Sequence, residues 1–187
     1  MSPVDDWTLA RRAATGDRTA FARIVRRYQH PVVAFCYRMT RSHADAEDIA
    51  QETFVRLYKA LDKLQPERPF STVLFTIARN AALNQLRGEG RHRRRVAALA
   101  QTQDQRDATA PPDRQAQAAD VAVALETALA ALTPEYREAF VLRECQGLEY
   151  RQIAAILSCP VGTVRSRIAR AREQIRQQLL AYGDDIL

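Results

Sequence analysis

The sequence predicts an all-α protein of two small helical domains, at residues 1–96 and 121–187, joined by a flexible linker at residues 97–120. Apolar residues recur three and four positions apart along most of the 187-residue chain, without strand-like alternation. Glycine is scarce, with six residues, and four of these stand at expected turns or helix ends. The stretch 97–120 is rich in Ala, Gln and Asp and lacks large apolar residues after Leu99, so it is not expected to form a core.

Two helices are predicted in the first forty residues. The first lies near Asp6–Ala14 and stops before Gly16, a residue type that favours helix ends. Asp17 is the expected N-cap of the second helix. Pro31 falls inside the apolar pattern of this second helix and is expected to kink or restart it.

Two further helices complete the first domain. Ser42 is the expected N-cap of the third helix, whose early turns carry acidic residues. Gln65–Pro69 forms a loop, and a fourth helix follows from Phe70 to about Gly88. A basic cluster, Arg91–Arg95, comes after that helix.

The second domain ends in a predicted helix-turn-helix. Thr133 and Pro134 start a helix that Gly147 closes. The segment Glu149–Arg172 then gives a short helix, a tight turn at Ser158 and a second helix dense in arginine. In a helix-turn-helix the second helix enters the major groove, so DNA is the leading candidate partner. Because many such turns carry Gly where this chain has Ser, the turn is expected to be slightly strained or differently shaped.

Charge is unevenly distributed along the chain. The formal net charge is +6 and the pI is about 9.6, which favours polyanionic partners. The net charge is +8 over residues 1–95, −2 over 96–120 and zero over 121–187. The arginine-rich helix is therefore a DNA candidate because of its position and not because of the charge of its domain.

The sequence contains no motif that is typical of several other classes of function. Cys36, Cys145 and Cys159 are widely spaced and no histidine lies near a CxxC pair, so no metal or cofactor is expected and the thiols should be reduced. The sequence shows no nucleophile paired with a base and no phosphate-binding glycine loop, so it indicates neither an enzyme nor a small-molecule substrate. Since no signal-peptide core and no stretch fit for membrane insertion is found, the expected location is the cytoplasm.

Three stretches resemble the signature blocks of extracytoplasmic-function (ECF, group 4) RNA polymerase sigma factors. They are Asp45–Leu61, Phe70–Asn84 and Pro160–Arg172. These bacterial transcription initiation factors contain only sigma regions 2 and 4, and the blocks occur here in the family's order around a linker of fitting character. The resemblance covers nearly the whole chain outside the linker, and implies that residues 1–96 are region 2 and residues 121–187 are region 4.

The first block carries an acidic helix face. Asp48, Gln51 and Glu52 lie at positions i, i+3 and i+4 and so share one face, which Phe54 and Tyr58 adjoin. Taken alone, such a face is usually only solvated. The resemblance implies that these five residues dock on the clamp helices of the polymerase β′ subunit, and that region 4 binds the β flap.

The second block implies recognition of the opened −10 promoter element. In the family a flipped base is held by the loop at about residues 63–71 and by the helix that follows. Asn can pair with base edges and aromatic rings can stack on unpaired bases, which makes Phe70, Phe75 and Asn80 candidates. The expected −10 set is Lys63, Phe70, Ser71, Phe75, Arg79, Asn80, Asn84, Arg91, Arg93 and Arg94.

Two features of the second block affect how it is expected to bind the −10 element. Its last three arginines are expected to contact phosphate, which adds affinity without sequence information. Val73 stands where the family commonly has Trp. The change is expected to alter core packing or, as the other interpretation, to weaken melting and tighten promoter selectivity.

The third block is expected to read the −35 element. Arg165 and Arg170 fit bidentate pairing to guanine, and Ala169 fits contact with a thymine methyl. Gly162 and Thr163 bring backbone amides to a phosphate, whereas the remaining arginines serve phosphate or solvent. The expected −35 set is Gly162, Thr163, Arg165, Ser166, Arg167, Ala169, Arg170 and Arg172.

The resemblance implies three partners: core RNA polymerase, promoter DNA and an anti-sigma factor, which in this family is usually membrane-anchored. The main alternative is a stand-alone helix-turn-helix regulator that binds DNA as a dimer. It explains residues 135–178 equally well, but it explains neither the acidic face at Asp48 nor the polar block at Asn80 and Asn84. An RNA-binding protein lacks support because no aromatic-rich stacking motif is present.

Overall fold

A computed structural model describes residues 5–97 and 116–184, with side chains from 5–87 and 123–181. The helices are α1 (Asp6–Ala14), α2 (Arg18–Thr40), α3 (His43–Ala60), α4 (Phe70–Ala97), α5 (Ala116–Ala131), α6 (Pro134–Phe140), α7 (Tyr150–Leu157) and α8 (Val161–Asp184). A π-helical turn, Val141–Cys145, continues α6. The described ranges contain no strand, which confirms the all-α prediction. None of these helices is both long enough and apolar enough to cross a bilayer.

The ends of the first three helices are set by local hydrogen bonds. The Asp17 carboxylate accepts from the backbone N–H of Ala20 at 3.0 Å, and the Ser42 hydroxyl accepts from that of Asp45 at 3.2 Å. Both predicted N-caps are therefore confirmed. Asp5 caps α1 in the same way, a role that the sequence reasoning did not assign.

Helix α2 does not restart at Pro31. It runs unbroken from Arg18 to Thr40 with the proline inside it. Buried side chains on both sides of the proline, Ile24 before it and Phe35 after it, pack into the same core and hold the two segments in line.

Helix α4 is longer than predicted. It does not end near Gly88 but continues to Ala97, so that Gly88 and Gly90 lie within it. A glycine inside a helix costs only about 1 kcal/mol relative to alanine and does not by itself end the helix. The expected linker, 97–120, lies mostly outside the described residues, and its last part is helical because α5 begins at Ala116.

The C-terminal half contains the helix-turn-helix. Fully buried side chains of α7 and α8, among them Ile153, Val164 and Ile168, hold these two helices together. Ser158 takes the left-handed conformation between them, with φ +52°, a conformation that residues other than Gly adopt at a cost. Helix α5 packs on α8 through a smaller cluster of buried residues, namely Ala128, Leu129, Leu132, Ala171 and Ile175.

The two halves pack against each other. Helix α7 lies on α4, and α2 contacts α5, α6 and the π-helical turn. One apolar cluster joins buried side chains of both halves, from Leu9 and Phe35 in the first to Leu142 and Ile153 in the second. This packing brings the helix-turn-helix against the helix that carries the expected −10 residues.

Candidate protein and nucleic-acid interfaces

A groove of about 700 Å³ lies between α2 and α3 on the surface of the N-terminal half. Phe54 forms part of its floor, whereas Val55 and Tyr58 are each 45% exposed. The Tyr58 ring packs edge-on against Phe21 at 4.9 Å between centroids. Residues that line the groove are Arg18, Phe21, Val25, Gln29, Val33, Glu47, Ala50, Gln51, Phe54, Val55, Tyr58 and Lys59. The surface is thus mainly apolar, with charged side chains at its edges.

The five expected polymerase-binding residues divide between the groove and its border. Gln51, Phe54 and Tyr58 line the groove. Asp48 and Glu52 are exposed on the adjoining face of α3, and Glu52 is paired with Arg56 at 2.6 Å.

The α2 wall of the groove was not foreseen as a binding surface. Its apolar residues are Phe21, Val25 and Val33, which belong to the apolar pattern of the second helix. The width of the apolar stripe on α2 could have predicted this wall of the groove. A helix that buries only one face needs a narrower stripe than the one on α2.

Phe70 and Phe75, two of the expected base-stacking residues, lie in the core. Phe70 is 3% exposed and its ring packs on Trp7 and Tyr28, with centroids 5.4 and 5.7 Å away. Phe75 is 2% exposed and packs edge-on against Phe35. Neither ring offers a free face to a base in this arrangement, because both are needed to join α4 to α1 and α2. This corrects the stacking role given to them.

A polar face of α4 remains open. Asn80 and Asn84 are exposed and lie one helical turn apart, and Val73 and Ile77, both half-buried, precede them on the same face. Val73 is therefore at the edge of the candidate −10 surface and not inside the core. Lys63 is exposed in the loop before α4.

The loop before α4 is tied to α1. The indole N–H of Trp7 donates to the backbone carbonyl of Arg68 at 2.9 Å. This anchor fixes the shape of the segment expected to hold a base. Nothing in the spacing of the sequence links these positions.

Two other expected −10 residues make contacts with the C-terminal half. The guanidinium of Arg79 donates to the Glu138 carboxylate at 2.7 Å, and the Ser71 hydroxyl accepts from Gln152 at 3.4 Å. Arg91, Arg93 and Arg94 lie in α4, but the structure describes only their backbone.

The start of α8 presents the expected base-reading side chains to solvent. Gly162, Arg165, Ser166, Ala169 and Arg170 are exposed there. On the opposite side, buried Val164 and Ile168 hold the helix against α7. Thr163 and Arg167 are half-buried at the border between the two faces.

Tyr150 and Glu144 hold two arginines of this region. The Arg165 guanidinium lies over the Tyr150 ring at 5.8 Å from its centroid, and Arg143 lies over the same ring at 5.0 Å. Arg172 donates to Glu144 at 2.5 Å, and this bond raises the pKa of the arginine. Arg172 is thus directed towards a protein carboxylate, whereas Arg170 is exposed and makes no contact of this kind with the residues that the structure describes.

A second apolar groove, of about 510 Å³, lies on the C-terminal half. It is formed by α6, the π-helical turn and the end of α8, and Leu180 in it is 56% exposed. Its lining residues are Phe140, Glu144, Arg172, Ile175, Arg176, Leu179 and Leu180.

Comparison with known proteins agrees with both halves of this description. The family model for sigma-70 region 2 matches residues 24–92, and that for sigma-70 region 4 matches residues 122–175. The RNA polymerase sigma-H factor of Pseudomonas aeruginosa is 34% identical over 96% of this chain and 96% of its own. The ECF RNA polymerase sigma-E factor of Escherichia coli K12 is 39% identical over 91% of this chain and 92% of its own. The chain belongs to the ECF family of RNA polymerase sigma factors.

Similar solved structures include two complexes with a bound partner. CnrH in complex with the cytosolic domain of CnrY matches with a TM-score of 0.68 and 28% identity, over 94% of this chain and 97% of that one. RpoE of Bartonella quintana in complex with the anti-sigma factor NepR matches with a TM-score of 0.68 and 27% identity, over 85% and 96% of the two chains.

Proposed function

We propose that this sigma factor binds core RNA polymerase and directs it to a small set of promoters, without catalytic activity, cofactor or small-molecule substrate of its own. The observation that carries the proposal is the groove between α2 and α3, with half-exposed Val55 and Tyr58 beside the acidic residues Asp48 and Glu52. An exposed apolar patch rimmed by charge is typical of a protein-binding surface.

The groove suits a helical partner. An amphipathic helix that enters such a groove buries apolar anchors along one face, and Tyr is among the residues that contribute most at interfaces. Asp48 and Glu52 would then face basic residues of the partner. We assign this surface to the β′ clamp helices, and the second groove, with exposed Leu180, to the β flap.

The DNA roles follow from the exposed polar faces. Asn80 and Asn84 on α4 are assigned to bases of the melted −10 element, because amide side chains pair with base edges. Arg165 and Arg170 are assigned to the −35 element. The cytoplasm is the compartment in which these partners occur.

An anti-sigma factor is the proposed regulator. One similar solved structure contains the anti-sigma factor NepR with RpoE, and another contains the cytosolic domain of CnrY with CnrH. An apolar groove that docks on polymerase is also a surface that a competing helix can cover. We further propose that this regulator is anchored in the membrane, in keeping with the cytosolic domain used in the CnrH complex.

The polymerase-binding surface can be tested by removing its acidic border. Replacing both Asp48 and Glu52 with Ala should weaken binding to core RNA polymerase about tenfold or more, on the scale measured for close interfacial charge pairs. The fold should be unchanged because both residues are exposed. Binding is measured by fluorescence anisotropy of the labelled chain titrated with core polymerase.

A matched control removes the same charge elsewhere. Asp62 and Glu135 are exposed and outside the groove, so the double Ala variant at these positions should bind as the unaltered chain does. If both double variants bind with unaltered affinity, Asp48 and Glu52 are not part of the polymerase site. If the unaltered chain shifts DNA on its own and leaves polymerase unaffected, the stand-alone regulator is the better account.

A further inference from the structure

The loop between α3 and α4 is held at both ends by local hydrogen bonds and is also bonded to α1. At its start, the backbone N–H of Leu64 donates to the carbonyl of Ala60 at 3.1 Å. At its end, the carbonyl of Pro69 accepts from the first turn of α4 at 2.9 Å. The Trp7 indole reaches the carbonyl of Arg68 from 61 residues away in the chain. This bond therefore fixes where the loop lies relative to the rest of the domain.

The exposed part of the loop lies directly before that bond. Residues 65–67 are exposed, and so is Arg68. These side chains are the part of the loop that can reach an unpaired base. Loops hold their side chains less precisely than helices do, and a shift of about 1 Å is enough to spoil a recognition site. An anchor at Arg68 thus limits the error with which the loop presents these residues.

Trp7 is itself held in a fixed direction. Its ring packs edge-on against Phe70, with the centroids 5.4 Å apart and the planes at 87°. Phe70 is buried and also contacts the ring of Tyr28, whose hydroxyl donates to the carboxylate of Asp6 at 2.6 Å. Burial raises the pKa of Tyr28, and the bond to Asp6 raises it further, so this hydroxyl stays protonated as the donor. Helix α1 is thus fastened to α2 beside Trp7 and to α4 through the Trp7 ring.

The ring and the N–H of Trp7 serve different parts of the structure. The ring packs on the core of the domain, whereas the N–H is given to a carbonyl of the exposed loop. Such a bond adds little to the stability of the fold, because water satisfies both groups in the unfolded chain. Its main effect is on the position of the loop. Helix α1 lies outside the three stretches that carry the expected polymerase-binding and promoter-binding residues, so the motifs give it no role in promoter recognition.

We propose that Trp7 is a positioning residue for −10 recognition, and that the hydrogen bond from its indole to the Arg68 carbonyl sets the base preference of the loop. The proposal rests on the proposed function, because it takes the loop before α4 as the holder of an unpaired −10 base. Trp7 acts through the loop and does not itself contact the base. Helix α1 thereby becomes part of the surface that selects promoters.

The test removes the N–H and keeps the ring. Trp7 is the only tryptophan of the chain, so an analogue supplied during expression replaces this residue alone. Benzothienylalanine has the shape of tryptophan with sulfur in place of the N–H, and azatryptophan keeps the N–H. Each full-length chain is assembled with core RNA polymerase and given a pool of promoters in which every base of the −10 element is varied.

Two variants serve as references. Ile24→Val removes a methyl group from a fully buried side chain of α2, so it lowers the stability of the same domain without removing a bond to the loop. Gln65→Ala with Glu67→Ala alters the exposed part of the loop and identifies the −10 position that the loop reads.

The parent and azatryptophan chains should share one pattern of −10 preferences, and so should Ile24→Val. The benzothienylalanine chain should lose about fivefold or more of the preference at the position that the loop reads, since a good base contact discriminates by roughly five- to 150-fold. Its affinity for core polymerase and its −35 preferences should be unchanged. In the loop variant, benzothienylalanine should cause no further loss, because effects of residues that act through one another do not add.

Three results would overturn the proposal. The first is a benzothienylalanine chain with the base preferences of the parent. The second is a uniform loss of activity on every promoter, as a merely structural role for Trp7 would give. The third is an equal loss of preference with azatryptophan, which would assign the effect to the ring. Failure of the proposed function is seen separately, as the absence of promoter-directed transcription by the parent chain with core polymerase.

Discussion

Arg165 and Arg170 are the two arginines of α8 best placed to read bases, and they are held differently. The guanidinium of Arg165 rests over the Tyr150 ring, which limits the directions it can take. Arg170 is exposed and lies five residues further along the helix. A guanidinium that forms two parallel hydrogen bonds with guanine discriminates between bases, whereas one that contacts phosphate does not.

Replacing Arg170 with Ala should therefore cost about 1–3 kcal/mol at one position of the −35 element, the usual scale for a bidentate contact to a base. The measurement is the affinity of the polymerase holoenzyme for a set of promoters that differ singly across that element. Arg26, which is exposed on α2 and lines neither groove, is the comparison residue. An equal loss on every promoter in the set would make Arg170 a phosphate contact instead.

Helix α4 presents its candidate DNA-binding residues along one line. Val73, Ile77, Asn80 and Asn84 follow each other at intervals of three and four residues, with exposure that increases towards the asparagines. At the first position the family commonly has Trp. A valine offers no ring face to an unpaired base, so this end of the surface lacks a stacking contact that is worth about 1–3 kcal/mol per base.

The Val73→Trp variant should accordingly increase open-complex formation on weak promoters and lower the discrimination between promoters. Permanganate reactivity of unpaired thymines measures melting on a strong and a weak promoter. Val73→Leu, which changes the side chain without adding a ring, is the control. Equal melting by all three proteins would show that this position serves only packing.

The sequence predicts some elements better than others, because the interactions that define them span different distances along the chain. Asp17 and Ser42 were found as N-caps because each bonds to a backbone N–H three residues away. Gly88 was misjudged as a helix end because the cost of one glycine is small beside that of ending a helix. Phe70 was misassigned because periodicity shows which residues share a face but not whether Trp7 and Tyr28 cover it.

At the scale of the whole molecule, the sequence predicts two helical halves but not their contact. The positions that join the halves are far apart in the chain, as are Arg79 and Glu138, 59 residues from each other. From the sequence alone, a glutamate in the first turns of a helix, such as Glu138, indicates only a charge that the helix N-terminus favours. Its burial depends on a surface contributed by the other half, which no local pattern contains. For the same reason, the sequence predicted only one side of the groove between α2 and α3. Its α3 side carries a motif, whereas its α2 side does not.

The chain is expected to make core RNA polymerase selective for promoters. The most direct measurement is transcription by purified core RNA polymerase, with and without this protein, over a pool of randomised promoter fragments. We expect initiation from selected fragments only when the protein is present, with separate −35 and −10 sequences enriched among them. Transcription that is the same with and without the protein, together with a DNA shift by the protein alone, would contradict the claim.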